Sequence, residues 1–266
     1  MKLDTDKEWE KLAQKNPYWA VLPNKDFEHS SLDETSKEKF FLTGEKHVET
    51  LWRFIKEKWD PNFKPQSILD YGCGVGRLLI PFAKRAKEVV GVDISNSMRT
   101  LAAKNCSEFN INNGFLIKPE DFLKDDKKYD LVHTFIVVQH IHPDDGMPLV
   151  QHMINSVKEG GYGALHVTYG VDHGENESEM NFLRSFINKL KYIKYYFYCK
   201  YSGTVPCKNP FEKIYMFSYD LNKIIGMVNR VSSGVVLEFV QHGVFSGCFI
   251  FFRREKKSCY EFPDDQ

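Results

Sequence analysis

The sequence predicts an α/β fold: a seven-stranded, mostly parallel sheet with an antiparallel last strand, helices on both faces and a helical insertion after the fifth strand. Three observations carry it. Short apolar runs of strand length alternate with apolar residues spaced three and four apart, the pattern of parallel strands joined by helical crossovers. A glycine-rich turn, Gly72-Cys73-Gly74-Val75-Gly76, joins the first such run to a helix. Two late apolar runs, 235–240 and 248–253, are linked by so short a turn, at His242-Gly243, that they must pair antiparallel.

Residues 1–35 are polar with aromatic anchors (Trp9, Tyr18, Trp19, Phe27), and Pro17 and Pro23 break any long helix, so an N-terminal arm packed on the domain is expected. Phe40, Phe41, His47/Val48, Leu51, Trp52, Ile55 and Trp59 recur at three and four, an amphipathic helix over 36–60 closed by Pro61. The apolar run 67–71 is the first strand, the glycine turn follows, and a helix starts near Arg77. A second strand ends at Asp93, with Ser95 or Asn96 opening a helix. A third covers 115–117, and Pro119-Glu120-Asp121-Phe122 comes next. A fourth strand spans 129–138 and a helix 144–157, while the fifth strand, 162–168, is entered through Gly160-Gly161. Alternation stops over 170–215, resumes with a helix opened by 219–221 and ends in the hairpin. One domain over 36–253, carrying the 170–215 insertion, and a polar tail over 254–266 follow.

Composition excludes several classes. Lys plus Arg number 36 and Asp plus Glu 36, so no overall field draws in a polyanion, and nucleic acid is not expected as a partner. The six cysteines form no CxxC pair, which points to reduced thiols and a cytoplasmic location. No apolar run approaches the roughly 20 residues that cross a bilayer. His140 and His142 lack carboxylate or thiol partners at ligand spacing, so no metal site is expected.

The glycine turn between strand and helix is built for a nucleotide cofactor: alternate glycines let a ligand lie against the backbone, and N–H groups at the helix start point at it. An acid ending the second strand, Asp93, suits a ribose diol. The spacing is GxGxG, not the dinucleotide GxGxxG, and Asp70 at the end of the first strand would repel a pyrophosphate but favour a cationic or amine-bearing ligand.

These residues resemble the class I S-adenosylmethionine-dependent methyltransferases, over about residues 68–253. Leu69-Asp70-Tyr71-Gly72-Cys73-Gly74-Val75-Gly76 is similar to the motif that wraps the methionine part, and Val90-Gly91-Val92-Asp93-Ile94-Ser95 to the one whose acid holds the ribose hydroxyls. Glu120-Asp121-Phe122 stands where the family borders the adenine, 129–141 resembles the fourth-strand motif, and 157–161 the entry to the fifth strand. The resemblance implies S-adenosylmethionine as cofactor, held by Asp70, Gly72, Gly74, Gly76, Asp93, Ile94, Met98, Glu120, Asp121, Phe122 and Phe135. Nucleic-acid amino methyltransferases carry Asn- or Asp-Pro-Pro-aromatic after the fourth strand; here that place reads Thr134-Phe135-Ile136-Val137.

Methyl transfer to a hydroxyl or ammonium also needs a proton removed, and imidazole titrates in the useful range. His140, just past the fourth strand, is the candidate general base, with a purely structural role as the alternative. His133 and His166 fall within strands and read as core residues. The 170–215 segment carries an apolar helical stripe, five tyrosines between 192 and 201 and a run of Lys and Arg without acids between Glu179 and Glu212. A lid over an anionic or sugar-containing small-molecule acceptor, a packed or homodimer-forming helix, and contact of 180–201 with a membrane surface are its three readings. A protein acceptor, or a non-catalytic cofactor-binding module acting through partners, stands as the alternative function.

Overall fold

A computed structural model describes residues 5–171, 216–232, 234–242 and 245–255. The 172–215 part of the insertion, with its lid, dimer and membrane-surface readings, and the tail from 256 lie outside the described residues.

The arm is helical: α1 (Thr5–Lys15) and α2 (Pro17–Val21) are followed by a 3-10 turn at Lys25–Phe27. α3 (Glu34–Lys58) starts at Asp33, whose carboxylate accepts the Ser36 N–H at 2.7 Å, and ends with Lys56 and Lys58 beside its negative pole. It buries Phe40, Phe41, Val48, Leu51 and Ile55 of the expected stripe, and Gly44 besides, while Trp52 and Trp59 stay partly exposed.

The sheet is built from β1 (Ser67–Tyr71), β2 (Glu88–Val92), β3 (Gly114–Ile117), β4 (Tyr129–Thr134), β5 (Val157–Val171), β6 (Val235–His242) and β7 (Phe245–Arg253). Its order is β3-β2-β1-β4-β5-β7-β6. The pairs from β3 through β5 are parallel; β7 runs antiparallel to both β5 and β6. Between the strands lie α4 (Leu79–Ala83), α5 (Asn96–Glu108), α6 (Pro119–Lys124), α7 (Pro143–Asn155) and α8 (Leu221–Asn229). Alternation along β1 sends Ile68 into a cluster with Phe40, Val48, Leu51 and Phe82, and Leu69 into one with Val92, Met153, Ile154 and Ile224. The sheet is therefore covered on both faces, and the carboxyl ends of β1, β2 and β4 meet where strand order reverses, the usual ligand crevice of open α/β sheets.

Two elements are shorter than their sequence suggests. The fourth strand stops at Thr134, four residues before the end of its apolar run, because Ile136 takes a φ of 57° and leaves the ladder. That is the left-handed region, which a β-branched side chain enters only under strain of about 1–3 kcal/mol. The helix after the glycine turn is the five-residue α4, starting at Leu79; hydrogen-bonded turns occupy the residues from Gly74 to Leu78.

Candidate functional site

A cavity of about 1420 Å³ opens at the carboxyl ends of β1, β2 and β4. Asp70, Gly72, Gly74, Asp93, Ile94, Met98, Glu120, Phe135 and His140 line it, as the sequence places them; Gly76, Asp121 and Phe122 do not. Gly76 packs towards Ala102 and Ile80, Phe122 is a core residue against Tyr71 and His152, and Asp121 is exposed.

The turn itself explains two glycines. Gly72 and Gly74 have φ of 80° and 53°, and a Cβ on Gly72 would lie 2.1 Å from Val137 Cγ2. Its amides, however, serve the protein. Gly72 and Cys73 N–H donate to the Val92 carbonyl at 2.7 and 3.0 Å, Gly74 N–H to Asp93 Oδ2 at 2.8 Å, and Gly76 N–H to the Cys73 carbonyl at 2.9 Å. The amides of these four turn residues are thus taken up within the protein, and the turn contributes shape and close backbone approach.

Asp93 also accepts the Ser95 N–H through Oδ1 at 2.9 Å. Burial raises its pKa to about 6, against the lowering effect of the Ser95 and Gly74 hydrogen bonds. Asp70 is buried; its Oδ1 lies 3.0 Å from His133 Nδ1, while Oδ2 has no hydrogen-bond partner among the described residues. Arg77, also buried, lines the cavity with its guanidinium 5.8 Å from the Phe135 ring centre. Burial lowers its pKa to about 10, so it stays cationic at neutral pH, and its Nε lacks a partner among the described residues. One carboxylate and one guanidinium, both stripped of water, thus face one space, an arrangement that suits a zwitterionic ligand.

His140 sits in a 3-10 turn at Val138–His140. Gln139 takes the Thr168 hydroxyl on Oε1 at 2.7 Å and turns Nε2 towards His140 Nε2 at 3.4 Å. The Trp9 ring meets the imidazole edge-on at 4.8 Å.

Trp9 belongs to a wall made by the N-terminal arm. Thr5, Asp6 and Trp9 of α1, with Trp19 to Pro23 behind them, close one side of the cavity. Glu10 fastens α1: its carboxylate accepts the Ser95 hydroxyl at 2.7 Å, the Ser97 N–H at 3.2 Å and the Ser97 hydroxyl, all at the start of α5. Burial works against ionisation, but these bonds hold the Glu10 pKa down at about 2. Tyr18 adds a bond to Asn105 Oδ1 at 2.9 Å, and Asn105 Nδ2 in turn donates to the Val75 carbonyl of the glycine turn. Glu10→Ala is expected to cost about 1 kcal/mol, the worth of a helix cap with charge at the positive pole. A carboxyl with a depressed pKa stabilises above its ordinary 4.5 and loses that contribution as pH falls towards about 2. The gap between wild type and variant in urea midpoint should therefore narrow between pH 7 and pH 3.

Other observations bound the chemistry. Among the described residues, no three His, Cys, Asp or Glu side chains group as metal ligands, and no helix is long and apolar enough to cross a membrane.

Known proteins place this geometry. The sequence profile of the family described as "Methyltransferase domain" matches residues 45–208. The chain is 29% identical over 102 residues to the ubiquinone biosynthesis O-methyltransferase of Pelagibacter ubique, covering 35% of this chain and 42% of that protein. It is 38% identical over 100 residues to the ribosomal protein L11 methyltransferase of Lactobacillus johnsonii, covering 37% of this chain and 30% of that protein. The chain thus spans less than half the length of these curated relatives. The crystal structure of magnesium protoporphyrin IX methyltransferase from Synechocystis PCC 6803, with SAM bound, superposes with a TM-score of 0.58 at 15% identity over 96% of this chain and 99% of that one, a likeness of fold.

Proposed function

The chain belongs to the methyltransferase-domain family, and from that premise we propose that it transfers a methyl group from S-adenosylmethionine to an oxygen or nitrogen nucleophile of a small molecule. The observation that carries this reading is the buried pair Asp70 and Arg77 in the wall of one cavity, each with a buried polar atom that has no partner among the described residues. Asp70 Oδ2 accepts the ligand's ammonium and Arg77 takes its carboxylate; Asp93 takes the ribose diol, with Ile94, Met98 and Glu120 along the nucleoside. When bound, the cofactor supplies a methyl group made electrophilic by its sulfonium.

The protein's share is to bind, orient and keep water out, and then to move one proton. Trp9 and α1 cover the reacting end. His140 receives the acceptor's proton on Nε2, giving up the 3.4 Å contact from the Gln139 amide as it does so. Among the described residues, the cavity wall has six carboxylates, those of Asp6, Asp70, Asp93, Glu120, Asp144 and Asp145, and Arg77 as its one lysine or arginine. That balance favours a neutral or positively charged acceptor, whereas the anionic acceptor suggested by 170–215 rests on residues outside those described. A protein acceptor is the second reading, supported by the 38% identity to the ribosomal protein L11 methyltransferase.

Calorimetry with S-adenosylmethionine tests the first step: no heat at high micromolar concentration overturns the reading, and binding without product from a metabolite extract favours a non-catalytic module. His140→Asn is expected to lower kcat by about a hundredfold, with cofactor Kd changed less than about twofold. Unchanged kcat would make His140 a structural residue.

A further inference from the structure

His133 lies outside the cavity wall but contacts Asp70, which lines it. The two stand side by side on neighbouring parallel strands, Asp70 on β1 in register with His133 on β4, and both side chains are buried. His133 Nδ1 is 3.0 Å from Asp70 Oδ1. On the far side of the ring, His133 Nε2 is 3.1 Å from His47 Nε2, on the buried side of α3. His47 packs at 4.7 Å on Phe135, itself in the cavity wall, and the Phe82 ring meets His133 edge-on at 5.1 Å.

The partners dictate the protons. A carboxylate only accepts, so His133 Nδ1 carries a hydrogen and donates to Asp70. Burial first, and the neighbouring His133, Arg77 and His166 next, push the His47 pKa down to about 2, so His47 is neutral and has one N–H to give. One hydrogen lies between the His47 and His133 Nε2 atoms, and His133 donates its Nδ1 hydrogen to Asp70. The consequence for Asp70 is geometric. Oδ1 is tied from inside the sheet, the carboxylate plane is fixed, and Oδ2, buried in the wall that Asp70 helps to form, is left without a partner among the described residues.

We propose that His133, backed by His47, is a positioning residue that holds Asp70 so that Oδ2 receives the cationic amino group of the ligand. The proposal rests on the S-adenosylmethionine reading. In the absence of the His133 hydrogen bond, a buried carboxylate with two unsatisfied oxygens would rotate towards Arg77, and that removes the ammonium's acceptor.

The test compares two ligands by calorimetry: S-adenosylmethionine, and 5′-methylthioadenosine, which shares the nucleoside and sulfur but has no amino-acid part. Wild type is expected to bind both. His133→Leu should weaken S-adenosylmethionine by about tenfold or more, the loss of a charge-assisted hydrogen bond, and leave 5′-methylthioadenosine within about twofold. His133→Asn, whose amide can donate from nearly the same place, should recover most of the loss. Should His133→Leu not fold, His47→Phe carries the test, with about threefold weakening of S-adenosylmethionine alone. Equal weakening of both ligands, or no change in either, overturns the proposal while the cofactor reading stands. Wild type binding neither ligand overturns the cofactor reading and this proposal with it.

Discussion

Asp93→Ala is expected to weaken S-adenosylmethionine binding by about a hundredfold, since a half-buried carboxylate taking two hydroxyl donors makes two charge-assisted bonds worth about 1.5–3 kcal/mol each, part of which water restores. The same carboxylate takes the Gly74 and Ser95 N–H groups, so the alanine also slackens the glycine turn. Titration calorimetry on wild type and variant measures the loss; an affinity within threefold of wild type would remove Asp93 from the site. The wild-type protein should show a pH signature as well. Burial raises the Asp93 pKa to about 6, and hydroxyl donors favour the ionised form. Affinity is then full above about pH 6 and falls below it, approaching tenfold per pH unit, because protonation must be reversed before the ligand binds. The stability of the ligand-free protein moves the other way. An acid whose pKa is raised on folding costs stability while ionised, and that cost fades as pH drops below about 6.

Gly44→Ala is expected to destabilise the fold by about 3 kcal/mol, at the upper end of ordinary overpacking. A Cβ at this position would lie 2.0 Å from the Arg77 carbonyl oxygen and 2.9 Å from its carbonyl carbon, and backbone cannot swing aside as a side-chain tip can. Relief requires α3 and the glycine turn to separate, which displaces Arg77, so the cofactor Kd should rise together with the loss in urea midpoint. Gly226→Ala is the matched control. Gly226 is inside α8 with nothing within 4 Å of an added Cβ, and the substitution should stabilise by about 0.5–1 kcal/mol through helix propensity. If both variants behave alike, the close approach of α3 to the turn is not what Gly44 serves.

What the sequence reveals follows the range of the interactions involved. The strand ends at Asp70 and Asp93, the intervening turn and the terminal hairpin are set by neighbours in the chain, and they are legible as residue types at fixed spacing. So is the α3 stripe, down to His47 among its apolar positions, but nothing local says that its ring meets His133 across 86 positions of sequence. Glu10 is one more acid in a charged helix until Ser95 and Ser97 are brought to it. Asp121 and Phe122 show the limit from the other side. They stand in the right order after the third strand, yet a half-turn of α6 sends Phe122 into the core and Asp121 to solvent, leaving Glu120 at the cavity. The early end of the fourth strand is equally hidden, since the 129–138 run stays apolar while Ile136 changes backbone sign.

The sign of the cavity wall bears on traffic through it. Among the described residues, six carboxylates against one guanidinium attract a sulfonium more than a neutral thioether. Methyl transfer converts the first into the second. The pull that gathers the fresh donor therefore lapses once the methyl group has gone, and the wall itself sorts spent from unspent without any moving part.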